Sequence, residues 1–354
     1  MSTWSQEEKC LLWLDSFPLE PAVKRRLLQT AGGATKLVKG FSAFEKEFSD
    51  GETFLRMRET LADSCYFEAI QARLEKESIT PVFWGGAGYP KGWSSFAEAP
   101  ICLYAKGNLR LLERRMFAVV GSRRTTEAAR RIGKEIAEGL SAHFAVVSGS
   151  ADGGDEAALA GALPGGGAVC LLAGGFGAQP KENPLLPQLQ KQGLVLAACP
   201  FDTPVRVYSY EYRNKLLAAM SEGVLVLGAA SKSGALITAG YAKRQGKPLF
   251  ALPYSPSVAA GEGCNALIKA GAYLTENAQD ILQHYGLAST AKKQVELTET
   301  ERAVAARLQD CGEVHISELS KALGIPAFKL TSVLSSLEVK GVAVKLGGNR
   351  YSAV

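Results

Sequence analysis

Small and basic residues directly follow a short apolar run near position 120. The run at 117–120 is followed by glycine, serine and two arginines, and then by a stretch of helical periodicity at 128–140. Glycine permits a tight turn, the free N–H groups at a helix start attract anions, and arginine offers fork-shaped donors to phosphate. The second and third glycines of the dinucleotide fingerprint GxGxxG are absent. The segment therefore predicts a phosphate-binding loop, with a capped helix start as the alternative; its candidate residues are Gly121, Ser122, Arg123 and Arg124.

Two further segments have the same order of strand, small residues and helix. In one of them Asp155 is predicted to cap the following helix, or alternatively to accept hydrogen bonds from a ribose or a base edge. The other adds the point charge of a lysine. Because parallel strands bring such loops to one edge of a sheet, we expect all these loops to share one anion site. The candidate residues are Ser148 and Gly149 in the first segment and Lys232, Ser233 and Gly234 in the second.

Aromatic, basic and amide side chains interleave between positions 208 and 215. Three tyrosines followed by arginine, asparagine and lysine fit the stacking of bases with neutralisation of phosphates. The alternative is that the tyrosines alternate along an edge and that one or two of them pack inward. A glycine-bounded loop at 261–268 also enters a predicted helix, although an ordinary capped turn explains it equally well. The candidate binding residues are Tyr210, Arg213, Asn214 and Lys215 in the first segment and Asn265 in the second.

The chain offers little material for catalysis or for metal binding. It has no GxSxG, GxxxxGK[ST] or HExxH motif, and none of its three histidines lies in these loops. A general base would have to be Asp152, Asp155 or Glu211, none of which has an obvious nucleophile beside it. The seven cysteines are scattered and never spaced as CxxC, which argues against a disulfide framework or a zinc site and favours a reducing cytoplasm. We therefore expect a cytoplasmic protein with no catalytic residue, no metal and no cofactor.

The elements that must position these loops are short apolar strands alternating with amphipathic helices. Strands are predicted at 117–120, 144–147, 168–172, 194–197, 224–227 and 249–252. Continuous apolar strands of this kind indicate a doubly wound, mostly parallel α/β sheet that is covered on both faces. Such sheets bind ligands beyond the carboxyl ends of their strands. The net charge of +5 is too mild to imply a nucleic-acid partner by itself, and no apolar run approaches the ~20 residues of a membrane span.

Both ends of the chain have a different pattern. The first 75 residues have helical periodicity, with Gly32 and Gly33 marking a turn, and predict a small helical bundle. Near the other end, helices are predicted at 300–308, 316–323 and 327–340, followed by two strands joined by a Gly-Gly-Asn turn. This is the winged-helix plan, which serves either DNA contact or protein interaction. We expect domains at 1–75, 76–288 and 295–354, with a linker at 289–293.

Seven motifs in this order resemble the DNA-processing protein A family, DprA, also called Smf. They lie at 99–109, 119–123, 148–149 with Asp155, 212–214, 232–239, 250–253 and 261–272, so the resemblance covers roughly residues 80–280. It implies a Rossmann-like domain preceded by a SAM-like helical domain and followed by a winged helix. It also implies a non-enzymatic, cytoplasmic protein that binds single-stranded DNA. By the same resemblance, the DNA pocket would use Gly121, Ser122, Arg123, Arg213, Asn214 and Lys232.

The resemblance further implies partners and a biological role. Family members protect incoming single strands during natural transformation and help to load a RecA-type recombinase onto them. The Rossmann-like domain would form a homodimer, and no membrane partner is expected. Two other interpretations remain open from the residues alone, namely a nucleotide-binding sensor or nucleotide hydrolase on the same fold, and a protein-interaction scaffold.

The chain departs from the family pattern at several positions. The family usually has arginine at the position of Asp152, histidine at that of Leu159, glutamate at that of Gly228 and arginine at that of Lys215. A Tyr-Pro pair is usual where this chain has Gln179 and Pro180. An acid in place of a base at position 152 lowers the local attraction for phosphate. We therefore expect weaker or altered DNA binding.

Overall fold

The computed structural model describes residues 4–48, 50–178, 184–287 and 297–353. The chain divides into two compact units, Met1–Ser289 and Thr290–Val354. The predicted linker at 289–293 lies outside the described residues, as do the domain boundaries at 288 and 295.

Five helices form the start of the first unit. Ser5 and Glu8 make a capping box that begins the first of them, and Gly32, with a φ of 72°, ends the second. The predicted turn at this glycine pair is confirmed. Trp13, Leu27 and Leu37 are buried and belong to the core that also fills one face of the sheet. The helices are α1 (Gln6–Asp15), α2 (Pro21–Ala31), α3 (Ala34–Lys39), α4 (Gly51–Ala62) and α5 (Ser64–Lys76).

A nine-stranded sheet forms the centre of the first unit. Its order is β1-β2-β6-β5-β4-β3-β7-β8-β9. Strands β3 to β9 run parallel to one another, and β1 and β2 form an antiparallel pair at one edge. The predicted mostly parallel α/β sheet is confirmed. The strands are β1 (Thr80–Phe83), β2 (Cys102–Gly107), β3 (Met116–Val120), β4 (Ala145–Ser148), β5 (Ala168–Leu172), β6 (Leu194–Ala197), β7 (Val224–Val226), β8 (Leu249–Ala251) and β9 (Tyr273–Leu274).

Helices cover both faces of this sheet. Successive strand residues point to opposite faces, so Phe117 packs into one hydrophobic core and Ala118 into the other. Ile136 of α6 lies in the first core and Leu216 of α9 lies in the second. The helices are α6 (Glu127–Ser141), α7 (Gly154–Ala162), α8 (Leu186–Gln192), α9 (Val207–Met220), α10 (Gly234–Arg244), α11 (Glu262–Lys269) and α12 (Ala278–His284).

The direction of winding changes beside β3. From β3 the chain continues to β4, β5 and β6 on one side, and it returns to β7 and β8 on the other side. The loops after β3 and β7 therefore diverge from adjacent strands. In open parallel sheets such a switch point leaves a crevice at the carboxyl ends of the strands, where ligands bind.

Buried polar contacts join the N-terminal helices to the sheet. Lys24 donates to the Asp15 carboxylate at 3.0 Å, and the hydroxyl of Tyr104 in β2 donates to the other oxygen of that carboxylate at 2.9 Å. Arg25 donates to the hydroxyl of Tyr89 and to the carbonyl of Phe96. A buried ion pair broken on one side is strongly destabilising. These contacts therefore hold the helices against the sheet within one unit.

The described part of the second unit contains three α-helices and a small antiparallel sheet. Its sheet order is β10-β12-β11, and its core contains Leu308, Leu319, Leu330 and Leu334. The predicted three helices and two hairpin strands are confirmed. The elements are α13 (Glu299–Cys311), β10 (Val314–His315), α14 (Ile316–Leu323), α15 (Ala327–Val339), β11 (Ala343–Leu346) and β12 (Arg350–Ala353).

No single helix in the described part of the chain is long and apolar enough to cross a membrane. The pair α14 and α15 passes that test only when taken together, by length and composition, and the two helices are bent by 108°. Leu319 of α14 and Leu330, Leu334 and Leu337 of α15 are buried in the core of the second unit.

Candidate functional site

The loops after β3, β4 and β7 meet helix α9 around a cavity at the switch point. Its volume is about 290 Å³. The position agrees with the expectation that loops at the carboxyl ends of parallel strands share one site. Candidate residues from three separate sequence segments line this cavity, namely Gly121, Ser122, Arg123, Tyr210, Arg213, Asn214, Ser233 and Gly234.

Close backbone contact between two loops shapes this cavity. A Cβ atom at Gly121 would lie 2.7 Å from the Cα of Gly154, at the start of α7. The N–H of Gly154 donates to the carbonyl of Ser122 at 3.2 Å. Side chains at these two glycines would push the loops apart, so glycine is required here by close approach rather than by an unusual turn.

A buried ion pair lies beside the cavity. Oδ1 of Asp155 accepts the N–H of Gly121 at 3.1 Å, and Oδ2 lies 3.4 Å from Nη1 of Arg213. The two side chains are only 7% and 6% exposed. Burial raises the pKa of the Asp155 carboxyl, while Arg213 and the N–H of Gly121 act in the opposite direction. The pair ties the loops after β3 and β4 to helix α9.

The prediction that Asp155 caps its own helix is wrong. Gly153 is the N-cap residue of α7, and it offers no side chain to the helix. Asp155 lies inside the first turn, and its carboxylate accepts from Gly121 of the neighbouring loop instead. The contacts with Gly121 and Arg213 explain the orientation of the Asp155 side chain, because a buried carboxylate needs a charged or hydrogen-bonding partner.

Three side-chain polar atoms around the cavity are buried without a hydrogen-bond partner among the described residues. They are Oγ of Ser122, Nε of Arg213 and Oγ1 of Thr238, and all three residues line the cavity. Buried polar atoms in proteins are nearly always paired, so an unpaired group calls for an explanation such as an unseen ion or ligand. Two hydroxyls and a guanidinium N–H are all donors, and a phosphate oxygen is an acceptor that suits all three.

Thr238 was missed by the sequence analysis. It lies on α10 and is 1% exposed. Gly234, which the sequence analysis identified, precedes it by four residues on the same helix, and residues four apart share one helix face. That spacing was the signal that would have found it.

Arg123 and Ser233 line the more open side of the cavity. The Arg123 side chain is exposed, which leaves its guanidinium free to meet a ligand at the cavity mouth. Ser233 is the N-cap of α10, and its hydroxyl accepts the N–H of Ala235 at 3.3 Å. Asn214 donates to the carbonyl of Gly234 at 3.1 Å, which joins α9 to this helix start. The positive end of the α10 dipole therefore faces the cavity.

Several candidate residues lie outside the cavity lining. Ser148 is fully buried and its hydroxyl donates to the carbonyl of Val119 at 2.6 Å. Gly149 lies directly against the Arg213 guanidinium, where any side chain would collide with the ion pair. Arg124 and Lys232 are exposed next to lining residues but do not line the cavity themselves.

Two other candidates have local structural partners. Nζ of Lys215 lies 3.1 Å from Oε2 of Glu98 and above the ring of Tyr241. The hydrogen bond with Tyr241 is the largest cause that raises the Lys215 pKa. The Asn265 amide bonds both the N–H and the carbonyl of Tyr254, at 3.0 and 2.9 Å. The structure thus does not bring these two residues to the cavity, and the capped-turn interpretation fits Asn265 better.

The three tyrosines of the 208–215 segment point in different directions because the segment is helical. A helix turns by about 100° per residue, so side chains two positions apart point to roughly opposite sides of the helix. Tyr208 is 66% exposed, Tyr210 lines the cavity, and Tyr212 donates to the carbonyl of Glu98 at 2.9 Å. The interpretation that the tyrosines alternate along an edge is wrong, although Tyr212 does pack inward.

Comparison with known proteins shows to which family this chain belongs. The family model described as DNA recombination-mediator protein A matches residues 81–286, which include the sheet and every loop of the cavity. The chain belongs to this family. The DNA processing protein DprA of Streptococcus pneumoniae is 35% identical over 201 residues, which are 56% of this chain and 71% of that protein. DprA of Bacillus subtilis is 30% identical over 219 residues, 60% of this chain and 74% of that protein.

Solved structures of this family share the fold. The X-ray structure of DprA from Streptococcus pneumoniae matches with a TM-score of 0.66 and 28% identity, and covers 80% of this chain and 98% of that one. A structure of DNA processing protein A from Helicobacter pylori, solved to describe how that protein binds single-stranded DNA, matches with a TM-score of 0.53 and 27% identity. It covers 58% of this chain and 95% of that one.

The departures from the DprA pattern have local explanations in part. A Cβ at Gly228 would lie 2.8 Å from the hydroxyls of both Thr125 and Tyr254, so this chain has no room for a larger side chain there. Leu159 of α7 is buried in the hydrophobic core, and Asp152 is exposed near the cavity. Gln179 and Pro180 lie outside the described residues. Within the described ranges, no group of three or more His, Cys, Asp or Glu residues is arranged to hold a metal ion.

Proposed function

We propose that this DprA-family protein binds single-stranded DNA and holds a backbone phosphate in the cavity at the switch point. The observation that carries the proposal is the set of buried donors on Ser122, Arg213 and Thr238 around that cavity, which have no hydrogen-bond partner within the described part of the chain. The related Helicobacter pylori protein, which binds single-stranded DNA, supports the same ligand for this chain. Contacts to phosphate carry no base information, so we expect binding with little sequence preference.

Residues at the cavity mouth would add charge and stacking. Arg123 is exposed there and offers a planar, permanently charged group to the next phosphate along the strand. Tyr210 lines the cavity on α9 and offers a ring face to a base. Both oxygens of the Asp155 carboxylate are already engaged by Gly121 and Arg213, so this carboxylate is poorly suited to act as a general base. These features favour binding without cleavage.

We also propose that the protein is a homodimer that pairs through strand β9. This strand is the last in the sheet order, so one of its edges has no neighbouring strand among the residues that the structure describes. Tyr273 and Leu274 of β9 are 49% and 50% exposed. Open edges with apolar side chains are templates for pairing with another chain. Two edges from two copies would bury these residues together.

Family membership supports the cellular role. We propose that the protein protects incoming single strands in the cytoplasm and helps to load a RecA-type recombinase on them during natural transformation. We assign residues 1–75 to a SAM-like helical domain, 76–288 to the Rossmann-like domain and 295–354 to a winged helix. The order of helices and hairpin strands in the second unit supports the last assignment.

A nucleotide-binding sensor is the second candidate function, because the same buried donors also suit a free mononucleotide. The experiment is a competition between a fluorescent 20-nucleotide strand and either unlabelled single strands or deoxynucleoside monophosphates. Strong competition by long strands and weak competition by mononucleotides supports the DNA-binding proposal. The reverse order overturns it in favour of the sensor.

The double variant Ser122→Ala with Thr238→Val removes two donors and should weaken strand binding several-fold. The variant Arg110→Ala changes an exposed arginine outside the cavity and should leave strand binding unchanged.

A further inference from the structure

A second cavity, of about 330 Å³, lies at the amino ends of β3, β7 and β8, whereas the switch-point cavity lies at the carboxyl ends of the strands. Met116 begins β3, and Glu222 and Lys247 each lie two residues before the next strand; all three line this second cavity. Helix α9 joins the two places, because Tyr210 in its first turn lines the switch-point cavity and Met220 at its last residue lines the second. The 14 residues of α9 span roughly 21 Å, so the two cavities are separate.

The charged residues that line the second cavity are mainly basic. Four basic and two acidic residues line it, a surplus of two positive charges. Arg115 and Glu222 neutralise each other, since the guanidinium donates to both carboxylate oxygens at 2.6 to 3.0 Å. Glu113, the other acid, is exposed to solvent. The cations that remain are Lys91, Arg114 and Lys247.

Lys247 also offsets the negative end of helix α9. Its Nζ donates to the carbonyls of Ala218 and Ala219 at 2.6 and 2.7 Å. These are among the last carbonyls of the helix, which carry the negative end of its dipole and would repel an anion. Burial lowers the pKa of Lys247 to about 8, so the ammonium is still mostly protonated at pH 7.

Ser221 adds a buried donor that lacks a partner. It follows the last residue of α9, lines the second cavity and is 2% exposed, and its Oγ has no hydrogen-bond partner among the described residues. A buried polar atom of this kind calls for a ligand or an ion. Arg114 donates through Nη2 to the carbonyl of Ser141 at 2.5 Å, and its guanidinium has further N–H groups. A hydroxyl beside a guanidinium and two ammonium groups suits the oxygens of a phosphate.

The rest of the lining is apolar. Leu112, Met116 and Met220 are buried side chains that line the same cavity. The thioether of methionine is polarizable and makes favourable contacts with aromatic rings. A volume of about 330 Å³ lies within the range of small-molecule sites, which combine an apolar wall with a few polar groups. The lining therefore suits a ligand that has both an anionic group and a ring.

We propose that the second cavity binds a mononucleotide. The phosphate would lie against Lys91, Arg114 and Ser221, and the base would lie against Met116 and Met220. A nucleotide fits better than a DNA strand, because these cations converge on one cavity instead of following a path along the surface. This proposal does not depend on the single-strand proposal, since the two cavities share no lining residue.

The test is isothermal titration of the full chain with each of the four ribonucleoside 5′-monophosphates, with and without saturating oligothymidylate. Lys91→Ala with Ser221→Ala should lower nucleotide affinity about tenfold, because both substitutions remove donors to a charged group. Glu113→Gln should raise the affinity about twofold, because an opposing charge disappears. Arg110→Ala with Ser94→Ala is the matched control, since both residues are exposed and lie outside the lining, and should leave the affinity unchanged.

Failure of this proposal and failure of the single-strand proposal give different results. Ser122→Ala with Thr238→Val should weaken binding of oligothymidylate and leave nucleotide affinity unchanged, whereas Lys91→Ala with Ser221→Ala should do the reverse. The Ser221 hydroxyl has no partner among the described residues, so Ser221→Ala should leave denaturant unfolding unchanged, which excludes a folding defect.

Four results would overturn the proposal. The first is that none of the four nucleotides binds, and the second is equal nucleotide affinity in all variants. The third is loss of nucleotide binding when oligothymidylate is present, because the nucleotide would then occupy the switch-point cavity. The fourth is inorganic phosphate that binds as tightly as the nucleotides, because the apolar wall would then contribute nothing.

Discussion

The guanidinium of Arg213 lies 3.4 Å from the carboxylate of Asp155, and both side chains are more than nine-tenths buried at the edge of the candidate site. Asp155 also accepts the N–H of Gly121, while the buried Nε of Arg213, a residue that lines the cavity, has no hydrogen-bond partner among the described residues. The arginine is therefore fixed by a neighbouring acid before any ligand arrives. A donor held in this way loses little conformational freedom when an anion binds.

The Asp155–Arg213 pair should be a strong local determinant of stability. Arg213→Ala leaves a buried carboxylate without its cation, which costs about 3–5 kcal/mol. Adding Asp155→Asn to that variant should recover part of the loss, because the uncompensated charge disappears. Lys215→Ala is the control, since its partner Glu98 is 47% exposed and such a pair contributes at most ~1 kcal/mol. Denaturant unfolding measures all three changes, and simple additivity of the two substitutions would contradict the coupling.

The second unit should lose stability in acid through Glu301. Its hydrogen bonds with Lys340, Ser336 and Thr298 lower the pKa of this carboxyl from 4.5 to about 2. A lowered pKa contributes stability that is present above pH 4.5 and is lost as the pH falls through about 2. Hydrogen exchange of peptides from the second unit should therefore show Glu301→Gln less protected than the wild type at pH 6.

The difference should shrink steadily as the pH approaches 2. Glu299→Gln, an exposed carboxylate on the same helix, should change protection little at either pH. A gap between wild type and Glu301→Gln that stays constant across this pH range would show that the ion pair is not the cause.

The proposed dimer depends on the exposed edge of β9. Leu274→Asp places a charge where two apolar edges would meet, so the variant should be monomeric at concentrations where the wild type is a dimer. Leu55→Asp is the matched control, because Leu55 is 47% exposed and lies on helix α4 rather than on a strand of the sheet. Light scattering coupled to size exclusion measures both. A dimer that survives Leu274→Asp would require another interface.

The sheet and the location of the site were predictable from sequence. Short apolar runs at 117–120, 168–172 and 224–227 exclude water on both faces and specify buried parallel strands. Parallel strands then place the loops after them at one edge, whatever the details of packing. Gly121, Ser122, Ser233 and Gly234 meet at the cavity for this reason.

The partners of individual side chains were not predictable in the same way. The type of Lys215 suggests a phosphate contact, but one further residue along the helix turns it toward Glu98 rather than the cavity. Asn265 is used by the backbone of Tyr254, a contact between segments 11 residues apart that has no signature in composition. Asp155 turns from its own helix to Gly121 only because a neighbouring loop approaches it. Such roles depend on tertiary distances.

The central claim, that the cavity holds a phosphate of single-stranded DNA, is tested most directly by equilibrium binding of a fluorescent single strand across a salt series. Each neutralised phosphate contributes a slope of about 0.7 in log K against log salt for single strands. Arg123→Ala should lower the affinity several-fold and reduce the slope by about one such contact, whereas Arg110→Ala should leave both at wild-type values. Affinity and slope that are unchanged in Arg123→Ala, or an absence of binding by the wild type even at low salt, would contradict it.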